Sequence, residues 1–269
     1  MTFRFIAISL LALALAPGLA SAAFPPLVSL PVTGTTDSEV WGGRTSDYGN
    51  NILTKGGAEA ATGEIYGSFP GSLAWPAPIP SATADSAGLH DATLNRVSGT
   101  AYPGLEGVYS GGISSVVNNF GGQLRLHDAT ALTGLQAVAL QLVVGEAWGY
   151  GFYNGVLPTL SYNGGTQNLA PTYSSLINQT DNGIVETVNG PELSILDHWG
   201  LQWDLSGLGT ITSFTIDFTI VQHAVIYAAQ LDQSNQDLAN ILPPSVPEPG
   251  TAALAGLAAL GCFLRRRRR

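Results

Sequence analysis

Between Ala23 and about Leu242 there is no long helical periodicity, but several segments repeat apolar residues at every second position, the period of a β-strand. In Ile211 to Val221, Phe214, Ile216, Phe218 and Ile220 share one face, and Thr215, Asp217 and Thr219 the other. That predicts a strand with one buried and one wet face. Upstream, Trp199, Leu201, Trp203 and Leu205 alternate with Gly200, Gln202, Asp204 and Ser206. Downstream, Val225, Tyr227, Ala229 and Leu231 alternate with Ile226, Ala228 and Gln230, a strand that can be buried on both sides. Leu135 to Val144 is almost continuously apolar, which suits either a central strand or an apolar helix of that length. Asn-Gly occurs at 154–155, 163–164, 182–183 and 189–190. This pair tolerates the positive φ that two-residue hairpin turns need, so each predicts a turn between strands. The pattern predicts an all-β protein, an antiparallel β-sandwich whose body of roughly 200 residues suits a jelly-roll-like arrangement.

The first third is less regular. Pro70, Pro76, Pro78 and Pro80 precede Ser/Ala-rich sequence to Gly88, read as an excursion from one sandwich over 23–242. The preceding segment is too short and Gly-rich to hold a core of its own.

The two ends read as addresses. Residues 1–22 combine Arg4, an apolar run from Phe5 to Ala16, and Ala20-Ser21-Ala22, the three parts of a secretory signal peptide. Cleavage by signal peptidase is expected after Ala22, with Ala20 and Ala22 as its small-residue determinants. Residues 243–269 contain Pro247-Glu248-Pro249, an uncharged run from Thr251 to Leu264, and five arginines, Arg265 to Arg269. The apolar run predicts a short C-terminal hydrophobic helix of about 21 Å at 1.5 Å per residue. This is less than the hydrocarbon core of about 30 Å, a deficit that snorkelling Arg side chains partly bridge. Positive-inside topology keeps Arg265, Arg266, Arg267, Arg268 and Arg269 cytoplasmic and puts the body outside.

This tripartite tail resembles the PEP-CTERM sorting signal of Gram-negative bacteria. The resemblance covers about the last two dozen residues. It implies an inner-membrane-anchored precursor, removal of the tail near Pro247-Glu248-Pro249 by an exosortase, and a destination at the cell surface or outside the cell, often beside extracellular polysaccharide. The jelly-roll expectation for the body also rests in part on this resemblance.

Charge sharpens the picture. The formal net charge is -9, but Arg4 and Arg265 to Arg269 lie in the removable ends. The body keeps Arg44, Lys55, Arg96 and Arg125 against 18 acidic residues. Nucleic-acid binding, which rests on cationic side chains, is thereby excluded, and phosphoryl transfer lacks anion clamps. The lone Cys262 lies in the tail and excludes an internal disulfide.

Within the body, aromatic residues Trp148, Tyr150 and Tyr153, interleaved with Gly149 and Gly151, form a candidate glycan-stacking surface or a stretch of ordinary core. His90-Asp91, His127-Asp128 and Asp197-His198 hint at metal ligation, and the first two lie in an identical Leu-His-Asp-Ala-Thr pentapeptide. Neighbours on a strand point to opposite faces, however, so a His and its adjacent Asp do not readily share an ion. Glu186 and Glu192 flank Asn189-Gly190 and form a candidate carboxylate pair for glycoside hydrolysis. Asp181-Asn182-Gly183 lacks the further acidic spacing of a calcium loop and reads as a turn. No catalytic set, metal ligand or cofactor is assigned. The expected activity is non-enzymatic, with a carbohydrate-binding module or a glycan-active hydrolase as the alternative.

Overall fold

The computed structural model describes residues 27–42, 78–81, 91–103, 107–114, 116–187 and 190–246, with backbone only over 185–187. Residues 1–22 and 247–269 of the terminal address segments, and most of the Pro-rich stretch with His90, lie outside these residues.

Among the described residues there are twelve strands: β1 (Thr36–Gly42), β2 (Ile79–Pro80), β3 (Thr93–Gly99), β4 (Ala101–Pro103), β5 (Val108–Ser110), β6 (Phe120–Asp128), β7 (Ala137–Gly145), β8 (Thr159–Tyr162), β9 (Tyr173–Thr187), β10 (Gly190–Asp204), β11 (Phe214–Val221) and β12 (Val225–Ser234). They build two antiparallel sheets. One runs β4-β5-β12-β7-β10-β9, with β1 sharing the free edge of β12; the other runs β2-β3-β6-β11-β8. Three nested pairs, β1 with β12, β6 with β11 and β7 with β10, describe a chain folded in half and rolled up. This is a jelly-roll-like sandwich. The innermost turn of the roll departs from that scheme, because β9 pairs β10 as a long hairpin and leaves β8 on the other sheet.

The alternating positions do what their period predicts. Phe214, Ile216, Phe218 and Ile220 of β11 face Val138, Leu140, Leu142 and Val144 of β7 in one core cluster, with Leu124, Leu126, Leu201, Trp203 and Leu231. The two fully buried indoles of this core find acceptors where the chain crosses. Trp41 Nε1 donates to Ile79 O at 3.0 Å, and Trp203 Nε1 to Leu169 O at 2.9 Å.

β7 is the central strand, and every residue in it is buried. Its inner side meets the core, while its outer side is covered by two straps. Val28, Leu30 and Val32 from before β1, and Ile241 and Leu242 from after β12, pack around Ala139. Two buried glutamines hold these straps. Gln141 accepts from Val28 N–H at 3.0 Å and donates to Val28 O at 2.9 Å. Gln202 donates to Leu238 O and accepts from Ile241 N–H, both at 3.0 Å. Gln202 therefore belongs to a covered face, although its alternation with Trp203 reads as polar and wet.

The Asn-Gly signals divide. Asn163-Gly164 forms a tight turn with both residues at positive φ, and Asn154-Gly155 does so in a single 3₁₀ turn. Gly190, at φ 107°, opens β10, while Asn189 lies outside the described residues. Asn182-Gly183 does not turn the chain. It lies inside the 15-residue β9, where the pairing slips between Leu193 and Ile195, and Gly183 takes φ +90° at that irregularity. The pair supplies positive φ, which a bulge uses as readily as a turn.

Candidate functional site

Three groups of side chains stand apart from the packing. The first is the outer face of the five-stranded sheet, where β6 and β11 present the polar half of their alternation. Arg125 and Asp217, directly opposite in register, form a two-pronged ion pair, Nε to Oδ1 at 2.7 Å and Nη2 to Oδ2 at 2.8 Å. The Asn163-Gly164 turn throws the following loop over this face, and Asn163 fixes it by bonds to Thr210 and Thr212. The result is a polar groove of about 410 Å³ lined by Arg125, His127, Ser161, Thr166, Asn168 and Asp217. A second cleft of about 250 Å³ shares Asn168 and Asp217 and adds Gln123, Thr219 and Tyr153. The internal ion pair leaves planar hydrogen-bonding groups with little net charge, a lining suited to a neutral polyhydroxylated ligand.

The second group holds the sequence-predicted aromatics. Trp148 is half-buried against the core and meets His223 edge-on at 5.2 Å; both are in the left-handed backbone region, φ 53° and 73°. Tyr109 hydroxyl meets His223 Nδ1 at 2.5 Å. Tyr153 packs on the core and stands edge-on to Phe120 at 5.8 Å, with one side on the second cleft. Tyr150 is exposed beyond the Gly149 turn. Only Tyr153 among these three borders either groove described above. Asp197, at the same end of β7, faces inward and hydrogen bonds to Gln179 at 2.9 Å. Burial, then the hydrogen bond and charge of Asp197, push Glu146 up to about 8.

The third group was not assigned from sequence. Asp37 and Glu39 of β1 and Asp128 of β6 each bring a carboxylate oxygen within 4.8 Å of the others, and all three are buried. Gln233 Nε2 spans two of them, donating to Asp37 Oδ2 at 3.0 Å and Asp128 Oδ2 at 2.6 Å. Glu39 Oε1 accepts from Ala92 N–H at 2.8 Å, and Asp128 Oδ1 from Thr130 N–H at 2.8 Å. Burial pushes Glu39 up to about 8 against the pull of the Ala92 amide, with repulsion from Asp128, Asp37 and Asp91 added. Burial and Asp91 also raise Asp128, to about 7.

A signal for this cluster was present in the repeated pentapeptide. Its two copies lie side by side, Thr93 opposite His127 and Leu94 opposite Leu126. Alternation separates His127 from Asp128 as expected: His127 lines the outer groove while Asp128 points inward, and His90 lies outside the described residues. Likewise Asp197 faces the interior side of β10, and His198 the strapped side, where it meets Gln141 Oε1 at 3.0 Å and burial lowers its pKa to about 4. Asp91 and Asp128 of the two copies thus come together, while His127 faces the other way. Of the remaining candidates, Glu186 is registered opposite Pro191 and Glu192 opposite Val185, so the pair is not directly cross-strand. Asp181 Oδ1 accepts from Gly183 N–H at 2.7 Å within β9.

Ala20, Ala22, Pro247 to Pro249 and Arg265 to Arg269 lie outside the described residues. The approach to the tail is described. Ser175 donates to Pro243 O at 2.6 Å and Val246 N–H to Leu176 O at 2.9 Å, so the chain is bound to the edge of β9 until Val246. Residues 245–269 match the PEP-CTERM protein-sorting motif. The C-terminus carries a PEP-CTERM sorting signal. Neither a curated protein nor a solved structure matches the chain. Among the described residues no helix is long and apolar enough to cross a membrane. The PEP-CTERM motif implies an exported protein processed by an exosortase, first as a membrane-anchored precursor.

Proposed function

We propose that this chain is a non-enzymatic protein of the cell surface or extracellular matrix, exported through a signal peptide at 1–22 and sorted by its PEP-CTERM tail. The observation that carries this reading is the motif match over 245–269. Signal peptidase removes the leader. The tail at 243–269 holds the precursor in the inner membrane until an exosortase cuts near Pro247-Glu248-Pro249, and the sandwich of 23–242 is the part delivered. Deleting Arg265 to Arg269 tests it: the variant is expected to keep the mass of the precursor and fail to reach the surface. Unchanged mature mass and unchanged display overturn the proposal.

A second reading, that the delivered sandwich binds extracellular polysaccharide, is favoured by the groove on the five-stranded sheet. Its near-neutral Arg125–Asp217 pair, Asn168, Gln123 and the flank of Tyr153 combine hydroxyl-binding groups with an aromatic edge. This moves the stacking role from Trp148 and Tyr150 to Tyr153. On a glycan array, Tyr153→Ala and Asp217→Asn are each expected to weaken retention at least about tenfold, the loss of about one good contact or 1.4 kcal/mol. Absence of glycan binding by the wild type, or binding indifferent to both changes, overturns it.

A further inference from the structure

Glu39 and Asp128 are surrounded by other carboxylates and meet no basic side chain among the described residues. The basic side chains described are Arg96 and Arg125, and both are engaged elsewhere: Arg96 donates to Ala101 O, and Arg125 is paired with Asp217 on the outer face. Glu39 is fully buried, and its Oε2 has no hydrogen-bond partner among the described residues. Asp91 Oδ1, beside the same cluster, is also buried without a described partner. Packed interiors rarely leave such strong acceptors unmade, because each costs the desolvation of its oxygen. Gln233, meanwhile, uses one amide to hold Asp37 and Asp128 at a fixed separation.

We propose that Asp37, Glu39 and Asp128, with Asp91 completing the set, bind a calcium ion that ties the two sheets together. The donors are all carboxylate oxygens, the set preferred by a hard divalent cation and a poor one for zinc or copper. Irregular spacing from separate segments suits the variable coordination of Ca²⁺ better than the strict octahedron of Mg²⁺. Asp37 and Glu39 come from β1 of the seven-stranded sheet. Asp128 comes from β6 of the other sheet, and Asp91 immediately precedes β3 there. The ion therefore fastens the edge strand β1 across the sandwich, where Ala92 N–H to Glu39 and Trp41 to Ile79 are the protein's own cross-links.

The test uses the full-length protein stripped with chelator. Calcium is expected to bind one per chain with Kd of about 10⁻³ M or tighter, the range of extracellular modules and below. At ten times Kd, Tm is expected to rise by about 3–5 °C. Terbium bound at the same site is expected to luminesce on tryptophan excitation, because Trp41 lies two residues from Glu39 on the same strand face. Glu39→Gln keeps an acceptor for Ala92 N–H, and Asp128→Asn keeps the side-chain shape. Each is expected to weaken calcium binding at least about tenfold, a single charged ligand's worth or 1.4 kcal/mol, while remaining folded in chelator. No saturable calcium binding by the wild type, a stronger response to Mg²⁺ than to Ca²⁺, or full binding by both folded variants overturns the proposal.

Discussion

Trp203 shows how much one residue commits the chain to this fold. Its indole is 1% exposed, its ring belongs to the central core, and its Nε1 is satisfied by Leu169 O. Removing the ring leaves a cavity and an unpaired carbonyl together. Trp203→Ala is expected to lower unfolding stability by about 3–5 kcal/mol, read as a shift of the denaturant midpoint; a change below about 1 kcal/mol, the size of an ordinary surface substitution, contradicts this account. The same alternation that buries Trp203 also explains what adjacency in sequence conceals. His127 and Asp128 are neighbours along β6, yet one lines an open groove and the other a buried cluster.

At the scale of elements, legibility followed the origin of burial. β11 has one face on the core and one on solvent, so its alternation is written in its own residues, and its strand was readable to within a few positions. β7 was readable as a central strand from its unbroken apolarity, with a helix left as the alternative; pairing with β10 and β12 decides for the strand. The outer faces of β7 and β10 were not readable, because the straps that cover them come from residues 28–32 and 238–242. Gln202 looks like a solvent-facing residue to a local rule, and Gln141 like an interruption of an apolar run. They are buried because strap backbone needs partners there, a demand that only tertiary structure creates. The carboxylate cluster was legible only in part: the repeated pentapeptide marks Asp91 and Asp128, but Asp37 and Glu39 come from the other sheet, 91 and 89 positions before Asp128, and only the packing of the two sheets brings them together.

For the whole molecule, an acidic body with buried carboxylates makes stability a function of pH. Glu146 is raised from an ordinary 4.5 to about 8 by burial and by Asp197. The folded state therefore holds a proton that the unfolded chain releases through this window. Its contribution is fully present below pH 4.5 and is lost as pH rises through 8. His198 has the opposite sign: it is lowered to about 4, so it favours the folded state increasingly as pH rises from 4 to 6.5. Glu146→Gln can still donate to Asp197 and cannot ionise. It is expected to match the wild type near pH 4 and to exceed it in Tm at pH 9, with the gap opening above neutrality. Parallel Tm curves across that range contradict the assignment.

The pairing of β1 with β12 joins residues 36–42 to residues 228–234, almost the full span of the body. A chain emerging from its N-terminus cannot complete that sheet until its last strand has arrived. β6 must likewise await β11, and β7 must await β10 and β12. Early pairs such as β3 with β6 and β4 with β5 can form, but neither sheet is complete until the late strands arrive. The topology itself makes completion of both sheets wait for the C-terminal strands, so the last third of the body closes what the first third begins.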